Sequence, residues 1–201
     1  KASEALKEAI AMGIDAGVLL SDKALAGSDT WSTAYALAEC AKKSGDFSLI
    51  ICGERATDGD TGQVGPEIAA YLGIPVISYV NKFIEISENR IKVHRQVEDG
   101  SEILSCSLPC LITVVKEVSD PRLPTLRGKL KAKNTQIPAM KATDFGIEAS
   151  KIGLEGSPTR VAKIFRPKVA RECDLQFAKD QSKIPLVVEN LVSFLKKKDA
   201  I

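Results

Sequence analysis

The sequence holds one histidine, one tryptophan and two methionines among 201 residues, and aromatic residues make up only 5% of it. A lone histidine removes most acid–base and metal-ligand constellations. His94 falls beside Lys92 and Arg95 in an alternating stretch, where an exposed strand position is expected. No paired carboxylates stand at a productive spacing and no nucleophile motif occurs, so no catalytic residue is assigned. The five cysteines, Cys40, Cys52, Cys106, Cys110 and Cys173, are odd in number and scattered, which suits reduced thiols in a cytosol-like compartment. Cys106 and Cys110 are four apart but have no histidine cluster to complete them, so no metal site is expected. Charge of one sign is missing too: a formal net charge of +2 is too slight to imply a nucleic-acid partner. No apolar run approaches the roughly 20 residues of a membrane span.

What is present is enough apolar residue, 44%, for one sizeable core and an extension. The chain starts inside an amphipathic helical pattern, KASEALKEAIAMG, with Gly13 in the stop position. A parallel sheet needs a strand before such a crossover helix, so N-terminal strands are expected to be missing from this sequence. Residues 16–20 read as a short strand. A helix follows over 30–43, capped by Ser28 or Asp29, with Trp31, Ala34, Tyr35, Ala38 and Ala41 along one face. At that spacing Trp31 belongs to a core or interface, and Asp22, Ser28 and Asp29 are expected to cap.

The organising stretch is LIICGERATDGDTGQVGPEIAAYLG, residues 49–73. A continuous apolar run over 47–52 predicts a buried parallel strand. It opens into a glycine-rich turn over 57–65, and a helix starts near Gly65 and Pro66 and stops at Gly73. Strand, glycine turn and helix suit phosphate: Gly59, Gly62 and Gly65 leave backbone amides bare, and the helix N-terminus adds about half a positive charge. Asp58 and Asp60 would repel an anion, so they are expected to accept neighbouring N–H groups, Asp60 and Gln63 having the spacing of a capping box.

Downstream, 76–86, 90–98 and 101–107 read as an antiparallel addition with a turn at Asp99-Gly100, and 110–115 as a central strand. Residues 120–138 form a basic stretch with one short helix, a solvated face in the plainest reading. The tail from Thr143 has isolated apolar residues and ends in a helix over 185–198, with Leu186, Val187, Leu191 and Leu195 near one stripe.

Two strings, ATDGDTGQVGP and GSPTRVAKIFRP, closely resemble the electron-transfer flavoprotein β subunit, Leu126 between Thr125 and Arg127 matches the leucine of its recognition loop, and the likeness spans nearly the whole chain. The resemblance implies an α/β fold with a Rossmann-like parallel sheet of the adenine-nucleotide-binding type, an antiparallel addition and an extended C-terminal arm. It divides the chain into a nucleotide-binding core over 1–119, a partner-recognition loop over 120–140, and an arm with helix over 141–201 docking on an α subunit. It implies a cofactor site made of Cys52, Ala56, Thr57, Asp58, Gly59, Asp60, Thr61, Gly62, Gln63, Val64, Gly65 and Pro66, and partner contacts through Leu126, Arg127 and Lys131. The Asp-Gly-Asp-Thr-Gly-Gln-Val-Gly-Pro form of the turn resembles the bifurcating members, which implies FAD rather than AMP, with NADH as substrate. In such members electrons go to ferredoxin and, through the α-subunit flavin, to an acyl-CoA dehydrogenase-type partner, in the cytoplasm. Two other readings stay open: a non-bifurcating β subunit with structural AMP, and an unrelated adenine-nucleotide module of the stress-protein kind.

Overall fold

The computed structural model describes residues 2–164, 175 and 180–199. The first helix, α1 (Ala2–Met12), buries Ile10 and Ala11, and a short strand, β1 (Leu19–Leu20), follows it. Asp29 caps α2 (Thr30–Ser44), its carboxylate accepting the Ser32 N–H at 3.0 Å. Next come β2 (Leu49–Gly53) and α3 (Val64–Leu72), which stops at Gly73 in the left-handed region, φ 65°, as expected. Then β3 (Val76–Ile86), β4 (Arg90–Val97), β5 (Gly100–Ser107) and β6 (Cys110–Val114) run almost without loops. The basic stretch forms α4 (Leu126–Asn134), and β7 (Ala139–Met140) and the short α5 (Gly153–Gly156) complete the first part.

Five strands join in the order β2-β6-β3-β4-β5. The first three are parallel, and β4 and β5 add on as antiparallel neighbours. A separate parallel pair links β1 with β7. The fold is therefore α/β with an antiparallel addition, as the sequence pattern implied. Continuous apolar β6, CLITV, is the central strand, buried on both faces. The companion expectation for 47–52 needs correcting: β2 pairs only with β6 among the described strands, and Ile51 is 55% exposed. An apolar run reports what a strand can bury, and its neighbours lie elsewhere in the chain.

Residues 1–161 form one compact unit. Part of the stretch expected to leave the core from 141 onward is inside it: Ala142, Phe145, Ile147 and Ile152 pack around Tyr35 and Ala36. Polar side chains before and within α2 hold that stretch by its backbone. Asp22 accepts the Ala142 N–H (3.1 Å), Ser28 Oγ accepts the Gly153 N–H (2.8 Å) and Tyr35 Oη accepts the Glu148 N–H (3.3 Å). Asp22, which also caps the 3-10 turn Lys23–Leu25, is thus a clasp as well as a cap, and Ser28 is a clasp that leaves the cap of α2 to Asp29.

The second unit spans 162–201. Its described regular structure is a single 3-10 turn, Gln181–Lys183, and α6 (Ile184–Lys197), an amphipathic helix with Pro185 in its first turn and no buried residue. Phe165, Arg166 and Pro167 of the GSPTRVAKIFRP string, and Cys173, lie outside the described residues. Cys40, Cys52, Cys106 and Cys110 are free thiols. No helix among the described residues is long and apolar enough to cross a membrane.

Candidate functional site

The carboxyl ends of β2 and β6 lie side by side next to Val80 in the middle of β3, and the turn between β2 and α3 follows there. It is pinned by the Asp60 N–H on the Ala56 carbonyl at 2.8 Å, and two residues take left-handed backbone, Asp60 at φ 51° and Gly62 at φ 66°. The carboxylates are committed within the turn. Asp58 accepts the Gly59 N–H at 2.9 Å, and Asp60 lies 3.4 Å from the Arg55 guanidinium, which also approaches Glu54 at 4.0 Å. The expected Asp60–Gln63 capping box does not form: Asp60 is drawn to Arg55, and Gln63 caps α3 without a side-chain bond. The helix starts at Val64, two residues before Pro66.

That leaves a row of donors. Among the described residues, none of the amides of Thr61, Gly62, Gln63, Val64 and Gly65 donates to a protein acceptor. Five consecutive N–H groups at the start of a helix form a positive concavity suited to an anion of nucleotide type. The sequence-derived residues from Ala56 to Pro66 run without a break through the turn and into the first three residues of α3. Cys52 precedes them on β2, opposite Thr113; its side chain packs against the cluster of Ala34, Ala38, Ile68, Ala69 and Leu111, and burial pushes its thiol pKa up.

The three glycines differ. A Cβ on Gly65 would stand 2.5 Å from Thr113 Cγ2, so this glycine lets the helix start press onto β6. Gly62 is required by its positive φ, whereas a Cβ on Gly59 would meet nothing within 4 Å.

Beside the turn lies a cavity of about 510 Å³, lined by Glu54, Arg55, Tyr79, Arg95, Gln96, Val97, Glu98 and Val115. Tyr79 joins the two features. Its backbone sits at φ 60°, in the left-handed region, with its N–H on the buried Thr113 Oγ1 at 3.0 Å, and a shift in the β3–β6 register falls here. The phenol reaches the turn, 3.1 Å from where a Gly62 Cβ would be. A non-glycine residue held in sparse backbone space beside a ligand-sized cavity marks a functional edge. Sequence reasoning missed this wall, because SYVN reads as ordinary strand and only the register shift turns Tyr79 outward.

The remaining assigned residues lie on α4. Leu126 opens that helix and is 77% exposed, behind Thr125, whose hydroxyl accepts the Gly128 N–H at 3.0 Å. Arg127 and Lys131 share the helix. Its other face is seated: Ala132 packs with Ile10 and Ala11, and a Cβ on Gly128 would collide with the Ala11 carbonyl. Trp31 is partly exposed and lies 4.6 Å from the Tyr71 ring, and His94 Nδ1 is 2.8 Å from Asn81 Oδ1.

A family profile described as Electron transfer flavoprotein domain matches residues 1–145. The chain is 45% identical over 173 residues to an electron transfer flavoprotein subunit beta from Megasphaera elsdenii, which covers 83% of this chain and 64% of that protein. It is 44% identical over 167 residues to the caffeyl-CoA reductase-Etf complex subunit CarD of Acetobacterium woodii, covering 83% of this chain and 63% of that one. It is also 40% identical over 178 residues to protein FixA of Bradyrhizobium diazoefficiens, covering 85% and 62%. The chain therefore spans less than two thirds of the length of these three relatives.

Proposed function

The chain belongs to the electron transfer flavoprotein family, as a β subunit, and from that premise we propose that it binds FAD on the turn over residues 56–66 and serves in electron bifurcation. The family match sets aside the unrelated nucleotide module. The observation that carries the FAD reading is the junction of five bare amides with a cavity of about 510 Å³. AMP would use the amides and leave the cavity without purpose; a dinucleotide uses both.

The amides of Thr61, Gly62, Gln63, Val64 and Gly65 hold the diphosphate without a lysine, aided by the α3 dipole. Asp60 is kept off that anion by Arg55, and Asp58 by the Gly59 N–H. Bound FAD supplies two-electron uptake from NADH and one-electron release toward ferredoxin and, by way of an α-subunit flavin, toward an acyl-CoA dehydrogenase-type partner. The printed name of the Acetobacterium relative places that protein in a caffeyl-CoA reductase complex, which supports an acyl-CoA-type partner here. Leu126, ringed by Arg127 and Lys131, is the anchor for that partner, and α6 with the residues before it docks on the α subunit.

The test is a count. The full-length chain is purified with its α subunit, denatured, and the released nucleotides are identified. Two FAD per heterodimer support this reading; one FAD with one AMP removes it in favour of a non-bifurcating carrier.

A further inference from the structure

We propose that Glu67 makes nucleotide binding at the glycine turn proton-linked: the phosphate and the Glu67 carboxylate compete for one helix end, so the protein takes up a proton as the nucleotide binds. The inference rests on the reading of the turn as a phosphate site and holds for FAD and AMP alike. Its first support is position. α3 starts at Val64, and Glu67 stands in its first turn, about 4.5 Å along the axis from that residue. The bare amides of Thr61 to Gly65 open at the same end. In the nucleotide-free protein the positive end of the helix favours an ionised Glu67. A phosphate on those amides takes over that end and adds a like charge beside the carboxylate.

The second support is what surrounds the side chain. Thr30 Oγ1 donates to Glu67 Oε1 at 3.2 Å, while Oε2 is buried with no hydrogen-bond partner among the described residues. The titratable groups that act on it are negative or neutral: Asp29, ahead of α2, and Tyr71, one turn further along α3. Lys151, which approaches Tyr71, is bound to Glu148 at 2.7 Å, and Arg55 of the turn is engaged by Asp60 and Glu54. Among the described residues no lysine or arginine pairs with Glu67. Burial, above all, already holds its carboxyl above the ordinary 4.5, and Asp29 adds to this against the bond from Thr30.

Third, the fold has no need of the acid. A glutamine would accept the same bond from Thr30 without the cost of ionising a half-buried group, so the carboxyl points to a role beyond packing. Negative charge arriving at the turn raises the Glu67 pKa further, so the bound state holds the proton more tightly than the free one. The proton comes from solvent and goes to the Glu67 carboxyl. Affinity is therefore highest below the free-state pKa and falls as pH rises to the bound-state one. Each pKa unit between the two states is about a tenfold change in affinity.

The experiment uses the full-length chain in complex with its α subunit, emptied of the nucleotide on this subunit, and follows rebinding of FAD between about pH 5.5 and about pH 8. FAD is the probe because its diphosphate does not titrate in that range. Wild type is expected to bind about tenfold more weakly at the upper pH. Glu67→Gln is expected to stay within about twofold across the range and to bind about tenfold more tightly than wild type at its upper end. A merely structural role would leave the pH profile as it is, so an equal slope in the two proteins overturns the proposal and leaves the turn as the nucleotide site. If AMP rebinds and FAD does not, the FAD reading falls, and the same comparison with AMP tests Glu67, since the titration of that phosphate is common to both proteins. If wild type rebinds neither, the reading of the turn and this inference fall together. Should Glu67→Gln not assemble with the α subunit, calorimetry of wild type near pH 6 in two buffers of unlike ionisation heat decides: binding without proton uptake overturns the proposal.

Discussion

Gly59, Gly62 and Gly65 are indistinguishable in the sequence, yet the structure gives each a different reason to be there, and the difference can be measured. Gly65→Ala forces its Cβ against Thr113 Cγ2 and is expected to destabilise the protein by about 1–3 kcal/mol, as overpacking does. Thr113→Ser removes that methyl while keeping the hydroxyl that accepts the Tyr79 N–H, so the double variant should recover most of the loss in a denaturant titration. No recovery would mean that the helix start is not pressed onto β6. Gly59→Ala, in open space, should leave the midpoint unchanged. Glu67 offers a pH test. Burial, above all, raises its carboxyl pKa, and the charge of Asp29 adds to this against the hydrogen bond from Thr30; its Oε2 is buried without a partner. The folded state therefore holds the proton more tightly than the unfolded chain. Stability falls as pH rises through the window that opens at the ordinary 4.5 and ends at the raised value, and the penalty persists above it. Glu67→Gln is expected to raise the denaturation midpoint at pH 7, with the gain vanishing below the ordinary carboxylate range. An equal gain at both pH values would sink the argument. Residues such as these were legible as a turn and a helix start, but Tyr79 was not, because a register shift on β3 leaves no local pattern.

At the scale of elements, period and punctuation located most of the sheet: the apolar run of β6, the turn at Asp99-Gly100 and the stop at Gly73 all stand where the residues placed them. Burial within the sheet was less legible, since β2 reads as a buried parallel strand and is parallel, but stands at an edge among the described strands with Ile51 exposed. The stretch from Ala142 to Thr159 was the largest departure. Its buried Ala142 and Phe145 sit in one short 3-10 turn and Ile147 and Ile152 on either side of the next, with no repeating period, so their burial could not be read in advance. What holds the end of that stretch is the N-terminus of α2. Ser157 Oγ donates to the Gly153 carbonyl at 2.6 Å and accepts the Asp29 N–H at 2.8 Å, while Asp29 accepts the Thr159 N–H at 2.9 Å and its hydroxyl at 2.8 Å. Burial opposes the ionised form of Asp29, but these bonds and that from Ser32 outweigh it and hold its pKa below the usual value. Asp29→Ala removes a helix cap and the Thr159 anchor at once, with about 1 kcal/mol expected from the cap alone. Amide exchange should accelerate at both Ser32 and Thr159 in this variant. Acceleration at Ser32 only would show that the stretch is held by its apolar residues instead. Because the carboxylate contributes stability only while ionised, that contribution is present above the ordinary pKa of 3.8 and is lost as pH falls through the lowered one.

For the molecule as a whole, the turn proposed for the nucleotide and the helix proposed for a partner are separate elements, which makes the two proposals separable by experiment. The turn that offers five amides belongs to the junction of β2 and α3, whereas Leu126 belongs to α4, which rests on α1 through Ala132 and Gly128. A seated helix lets a 77% exposed leucine be presented in a fixed place, so little conformational freedom is lost when a partner covers it. Leu123, at 87% exposure, precedes it and the half-exposed Leu130 follows one turn on, giving the anchor an apolar surround, while Arg127 and Lys131 set the charge of its rim. Burying a leucine contributes roughly 2 kcal/mol, so Leu126→Ala should weaken transfer to the dehydrogenase partner by about 30-fold in affinity. The same variant, purified with the α subunit, should keep its nucleotide content and its flavin spectrum, because no residue of α4 lines the cavity or the turn. Arg127→Glu should act differently, slowing association and steepening its dependence on salt while the dissociation rate changes little. Stopped-flow reduction of the complex by a reduced dehydrogenase, across salt concentrations, separates the two effects. If Leu126→Ala alters the flavin spectrum, or if both variants change the dissociation rate equally, then α4 serves the fold of the nucleotide unit and the partner binds elsewhere.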